Sequence, residues 1–200
     1  MDKSLIYIGL ILIIAVYYFT VYNSSNSSVV NNTDSVDMIN NNQTFPGEGS
    51  LQQNLSNKWL QLATSICVNF SLEIDPKAIL ATIEQESGSR SLTENCDTVI
   101  GDQGRSIGFC QVEQGALTDL NGYFGTDYVF TDLNDNTNNI TCGLLYLALC
   151  LNINQSQTNP YWLAYKRYNG GRGQTDTSIN SMATTYANSA YNKYQVYLQG

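Results

Sequence analysis

The segment from Ile140 to Leu151 is nearly all apolar, Ile-Thr-Cys-Gly-Leu-Leu-Tyr-Leu-Ala-Leu-Cys-Leu. A helix with no polar face has to be surrounded by protein. Roughly ten to twelve apolar residues are also too few to cross a bilayer. The segment is therefore the expected centre of a helical bundle, and neighbouring segments must supply its walls. Leu55, Trp59, Leu62, Ala63, Ile66 and Phe70 recur at helical spacing, with Asn54 or Ser56 as the expected cap. Phe109, Val112, Ala116, Leu117 and Leu120 predict a short helix. Pro160 opens another through Trp162, Leu163 and Tyr165, ending at Gly170-Gly171. A last helix is expected from Ser178 to Leu198 with the stripe Ile179, Met182, Tyr186, Ala190 and Tyr194. Gly122 to Asp135 reads as a loop with little pattern. The fold class is mainly α, with any strand confined to the Ser89–Ile107 loop.

Three regions follow from composition. Ser4 to Val21 carries no charge. As a helix it spans about 27 Å, enough for a bilayer core. Tyr17, Tyr18 and Tyr22 stand where an interfacial belt belongs. The rival is a cleaved signal peptide, but no Ala-x-Ala site follows the run. Residues 1–22 are thus the expected transmembrane anchor. Lys3 and the amino terminus place the N-terminus on the cytoplasmic or interior side and the rest outside. Residues 23–50, rich in Asn and Ser, bury too little to fold and read as a flexible tether. Residues 51–200 are the folded domain.

Charge and histidine exclude several functions. The formal charge is −8, from 17 acids and 9 bases. No basic stripe is available for nucleic acid. With no histidine, the chain holds no Ser-His-Asp triad, Cys-His pair or His-x-x-x-His zinc site. No Cys-x-x-Cys spacing appears either, so no metal and no cofactor is expected. Five cysteines, Cys67, Cys96, Cys110, Cys142 and Cys150, lie beyond Ser50. Cys142 and Cys150 are too far apart along one helix to bridge. Cys96, in the long loop of an exported domain, is the expected partner in at least one disulfide. Small buried hydrophobes are an equal reading for Cys67, Cys110 and Cys150.

One carboxylate stands out. Asp75 and Pro76 open a helix in which Ile79, Ile83 and Glu86 share a face, and Gly88 is a left-handed cap. Glu86 therefore lies on a core-facing stripe, while Glu84 points away and should be solvated. Glu86 is either an acid paired with Arg90 or Arg105 or snorkelling at the helix end, or a general acid whose pKa is raised by burial.

The residues Glu86-Ser87-Gly88, followed by Gly101-Asp102-Gln103-Gly104-Arg105-Ser106-Ile107-Gly108-Phe109-Cys110-Gln111, resemble the active-site segment of the lytic transglycosylases with the lysozyme-like fold. Asn139-Ile140-Thr141-Cys142-Gly143-Leu144-Leu145-Tyr146-Leu147 resembles that family's Asn-Ile-x-x-Gly-x-x-Tyr-Leu helix. Tyr168-Asn169-Gly170-Gly171 is similar to its Tyr-Asn-x-Gly turn. These pieces come in family order and cover the chain from about Leu55 onward.

The resemblance implies a lysozyme-like helical domain that binds peptidoglycan glycan strands. It implies a lyase that cuts the bond between N-acetylmuramic acid and N-acetylglucosamine, leaving 1,6-anhydromuramic ends. Glu86 would be the sole catalytic acid and base. Ser87 would help hold its carboxyl. Gly108 would let backbone approach the sugar, and Gln111 would offer it an amide. Tyr168 would bring its hydroxyl to Glu86, and Asn169 would fix the turn presenting Tyr168. Tyr146 reads as core. Phe109-Cys110 replaces the family's Leu-Met, leaving Cys110 open to oxidation. Arg167 replaces a small residue and would alter the substrate subsites. Small anchored members serve secretion systems and virions that pierce a wall, so such components are implied partners and a virion membrane an implied location. The alternatives are a lysozyme-type hydrolase with Asp102 or Asp97 positioning water, and an inactive wall-binding or assembly protein.

Overall fold

The computed structural model describes residues 48–153 and 158–200. The expected anchor and most of the expected tether lie outside the described residues. No described helix is long and apolar enough to cross a membrane.

The buried centre is where the sequence puts it. Helix α5, Asn136–Asn152, is buried continuously from Asn139 to Leu151. Each fully buried leucine here contributes on the order of 2 kcal/mol. Asp135 caps α5 by accepting the Asn138 N–H at 2.9 Å. Around α5 stand α1 (Glu48–Asn69), α2 (Lys77–Glu86), α4 (Gln114–Phe124) and α6 (Pro160–Gly170), and α7 (Ser181–Gln199) packs on α2 and α6. A single turn, α3, covers Arg90–Thr93.

Several expected boundaries move. Helix α1 begins at Glu48, so Asn54 and Ser56 are interior rather than caps. Ile179 and Met182 are exposed rather than part of the last stripe. Asn180 caps α7 by accepting the Ala183 N–H at 3.0 Å. The buried stripe is Ala183, Tyr186, Ala187, Ala190, Tyr194 and Tyr197.

A small antiparallel sheet joins α3 to α4. Strand β1 is Ile100–Gly101, β2 is Ser106–Ile107 and β3 is Val112–Glu113. Ile100 pairs with Ile107, and Ile107 with Val112. The third strand lies beyond Ile107, outside the loop to which strands were assigned. Its cause is the tight turn at Gly108–Gln111, which folds the chain back and takes Phe109 and Val112 out of the expected helix. The 122–135 stretch also has more structure than its sequence pattern implies, with a 3-10 turn over Phe130–Asn134.

The expected disulfide is not formed. All five thiols are free and buried. Cys96 is not on a flexible loop: it lies in a 3-10 turn in the core, and its N–H donates to Asn136 Oδ1 at 2.9 Å. Burial pushes the Cys96 thiol up to about 12. Cys110 is fully buried as well, so it is no ready oxidation target.

Candidate active site

Helix α2 carries the acid to the site. Asp75 accepts the Lys77 N–H at 2.8 Å at its start. At its end the Gly88 N–H returns to Ile83 O at 3.2 Å, with Gly88 at φ +54°. Ile79 and Ile83 are fully buried. Glu86, on the same face, emerges into the wall of a cleft of about 730 Å³.

Among the described residues, no cation pairs with the Glu86 carboxyl. Arg90 is bound to Glu94 at 3.0 Å, and Arg105 to Asp102 at 2.6 Å. The reading of Glu86 as an acid paired with either arginine is therefore overturned. Its carboxyl instead accepts a 2.6 Å hydrogen bond from Tyr186 Oη. Burial raises its pKa from 4.5 to about 7; the Tyr186 bond opposes that rise and the charge of Glu113 adds to it. The carboxyl therefore titrates near neutral pH rather than in the usual carboxylate range.

Glu84 does not point freely into solvent. It is half-buried and accepts from Tyr197 Oη at 2.9 Å. Helix α7 lies over this side of α2, which the pattern of α2 alone does not show.

The other expected site residues have clear places. Tyr168 lines the cleft, but its hydroxyl donates to Cys110 O at 2.8 Å rather than meeting Glu86. Tyr186, on α7, makes that contact, and its ring stacks on Tyr168 with centroids 6.5 Å apart. Tyr146 packs against Tyr168 at 5.4 Å and also reaches the cleft wall. Tyr168 and Asn169 sit in the last turn of α6, not in a separate turn, and Asn169 is exposed on the cleft. Ser87 does not hold the carboxyl: its hydroxyl donates to Ile83 O at 2.9 Å and closes α2.

Gln111 lines the cleft without free polar groups, and Gly108 does not line it. Gln111 Nε2 donates to Val99 O at 3.1 Å and to Gly108 O at 2.7 Å, and Oε1 accepts from Ser106 at 2.7 Å. Both amide donors are spent inside the loop. Gly108 is buried with φ +82°, and a Cβ there would run into the Asn139 amide. Asn139 is fully buried. Its amide donates to Ile107 O and Leu133 O and accepts the Cys110 N–H at 3.0 Å. The glycine makes room for a side chain of α5, not for sugar.

Arg167 is not a subsite residue. It is buried, bonding Gln174 O at 3.0 Å and Cys150 O at 3.1 Å. Asp102 lines the cleft in its pair with Arg105, whereas Asp97 does not line it.

Sequence reasoning missed three charged cleft residues. Glu113 ends β3, is exposed, and lines the cleft with Glu86. Asp119 and Arg172 line it too, bridged at 3.2 Å. None of the three falls on a periodic stripe, so only the fold brings them to the acid. Tyr186 does carry a signal, its place on the last apolar stripe, but that place implies core alone. A second hollow of about 530 Å³, lined by Gln85, Met182, Thr185 and Tyr186, adjoins at Asn169, which belongs to both.

Compared with protein-family models and with curated proteins, the chain matches none.

Proposed function

We propose that the protein is a peptidoglycan lytic transglycosylase with Glu86 as its acid and base. The observation that carries this reading is the Glu86 carboxyl, raised to about 7 on the wall of an open cleft and in no ion pair among the described residues. A carboxyl so poised gives up a proton near neutral pH and takes it back. The resemblance of its flanking segments supplies the substrate.

In the first step Glu86 protonates the glycosidic oxygen as the bond to the muramyl C1 breaks. The bonding electrons leave with that oxygen. Positive charge develops at C1 and the ring oxygen. In the second step the C6 hydroxyl of the same sugar bonds to C1 and its proton passes to the Glu86 carboxylate. The acid is restored, no water is consumed, and the released end is 1,6-anhydro. Tyr186 holds the carboxylate formed between the steps, since it donates to Oε1.

Glu113 favours a second reading. It is a carboxylate on the same cleft, close enough for its charge to act on Glu86. A water positioned by Glu113 and attacking C1 would make the product a reducing end, as in a lysozyme-type hydrolase. Glu113 displaces Asp97 and Asp102 as the candidate for that role.

The run Ser4–Val21 is the proposed anchor, with the catalytic domain held outside near the wall and the N-terminus inside. Secretion-system or virion components are the proposed partners. The test is mass spectrometry of fragments released from purified wall by the full-length protein. Anhydromuramic ends support the transglycosylase, and reducing ends support the hydrolase. Release of no fragments, or equal release by Glu86→Gln, ends both readings.

A further inference from the structure

Binding space continues past the acid. Glu86 lines the main cleft, but Gln85, one residue earlier on α2, lines the second hollow of about 530 Å³. Asn169 lines both spaces. Tyr186, whose hydroxyl donates to Glu86, lines the second. The acid therefore stands at the junction of two spaces. Ligand sites typically measure about 300–1,000 Å³, and both spaces fall in that range.

The two differ in chemistry. The main cleft is lined by Glu86, Asp102, Glu113, Asp119 and Arg172 among others, whereas no charged side chain lines the hollow. Several polar groups of the hollow are unspent. Gln85 Oε1 accepts from Ser189 Oγ at 2.7 Å and from Lys193 Nζ at 3.1 Å. An ammonium only donates, so the amide oxygen is fixed at that end and the NH₂ group at the other. That NH₂ group, the Asn169 amide and the Ser181 and Thr185 hydroxyls meet no partner among the described residues. Met182 adds an exposed apolar surface beside them. Uncharged donors and acceptors next to an apolar side chain suit an N-acetylhexosamine, which offers an amide, hydroxyls and C–H faces. A carboxylate or an ammonium would need a counter-charge that the hollow's walls do not supply.

We infer that the second hollow binds an uncharged N-acetylhexosamine unit on the far side of the scissile bond from the main cleft, so that the enzyme cuts inside strands. This rests on the glycan-cleaving reading and adds where along a strand the cut falls. A general acid must come within about 2.6–3.2 Å of the oxygen it protonates. A glycosidic oxygen joins one sugar on each side. With Glu86 at the junction, one of those sugars faces the main cleft, and the strand beyond the other passes Asn169 into the hollow. Because the strand is held on both sides of the acid, no chain end is needed to position the bond.

The test uses full-length protein and glycan strands of defined length, with and without peptide, labelled at one end. Wild type should release internal fragments of mixed length from the earliest times. Its kcat/KM should rise with strand length by about tenfold or more, as a few added hydrogen bonds would give. Thr185→Trp and Ser181→Trp each place bulk in the hollow. Both positions are exposed, and the buried face of α7 is elsewhere. Each variant should bring the ratio of long-strand to short-strand kcat/KM toward one. The ratio is internal to each variant, so a loss of folded protein does not imitate the effect. A wild type that releases only terminal units, or that shows no length preference, overturns the inference and leaves the glycan reading intact. So do two tryptophan variants that both keep the preference. A loss of preference confined to peptide-bearing strands would place peptide in the hollow and overturn the sugar assignment. A wild type that cuts no strand of any length overturns the glycan reading, and this inference with it.

Discussion

Tyr186 Oη and Glu86 Oε1 lie 2.6 Å apart and join two helices across a sequence separation of 100 residues. The phenol is neutral and donates, so the bond favours the ionised carboxyl. Burial works the other way and dominates. The proton affinity of Glu86 is the outcome of that opposition, and each side is open to mutation.

Tyr186→Phe keeps the ring that stacks on Tyr168 and removes only the donor. The Glu86 pKa should rise further, because the ionised form loses its partner. The alkaline limb of the rate profile should therefore move to higher pH. The maximum rate should fall, by up to about 10²-fold if the carboxyl loses its aim. A pH–rate profile on purified wall measures both. An alkaline limb that stays in place would show that this hydroxyl does not act on the acid.

Glu86→Gln separates catalysis from stability. Loss of the acid should cost about 10²–10⁴ in rate or more. Stability should change with pH in a defined direction. Between 4.5 and about 7 the folded protein binds more protons at Glu86 than the unfolded chain does. Wild-type stability should therefore fall as pH rises through this window and level off above it, by on the order of 2–3 kcal/mol. Glutamine is neutral throughout and still accepts from Tyr186. The variant should match wild type near pH 4 and exceed it near pH 8 in urea melts. Equal stability at both pH values would mean that the Glu86 carboxyl is not desolvated.

The bundle was legible because its signals are local and periodic. The α5 run, the Asn139 to Leu151 core, the Pro160 start and the Asp75–Gly88 helix follow from spacing and caps. The acid was legible for the same reason, from Ile79, Ile83 and Glu86. What surrounds the acid was not, because it depends on packing between distant segments. Periodicity places Tyr186 on a stripe but does not show that the stripe ends against a carboxylate. Likewise the resemblance singles out Gly108 without showing that Asn139 fills the space. Glu84 looked solvated because α2 was read without α7. Glu113 sits on a two-residue strand, too short to give a period.

The cysteines give a prediction opposite to the one that the proposed export would suggest. All five are buried and free, and burial raises Cys67 to about 11 and Cys142 and Cys150 to about 12. Thiols held so far above ambient pH react slowly. Protein purified without reductant should show five reactive thiols after denaturation and almost none before it. Fewer than five on denaturation, restored by a reductant, would establish a disulfide after all.

Glu113 separates the two mechanisms set out under the proposed function. Its charge helps keep Glu86 protonated, so Glu113→Gln should lower the Glu86 pKa and move the alkaline limb of the rate to lower pH. That shift is expected under either mechanism. The products separate the two. In the transglycosylase, the nucleophile is the sugar's own hydroxyl and Glu86 alone takes its proton. Glu113→Gln should then keep anhydromuramic ends and lose only about tenfold or less in rate. In the hydrolase, Glu113 positions the water, and its loss should cost about 10²–10⁴. Any residual product would then shift toward anhydro ends, because the C6 hydroxyl remains in place when the water is no longer held. Glu113 is exposed and makes no ion pair among the described residues, so the substitution should leave the melting temperature nearly unchanged. Mass spectrometry of ends released by wild type and Glu113→Gln, at the pH optimum of each, measures the partition. Anhydro ends from both, at similar rates, would remove Glu113 from the chemistry and leave Glu86 as the sole acid and base.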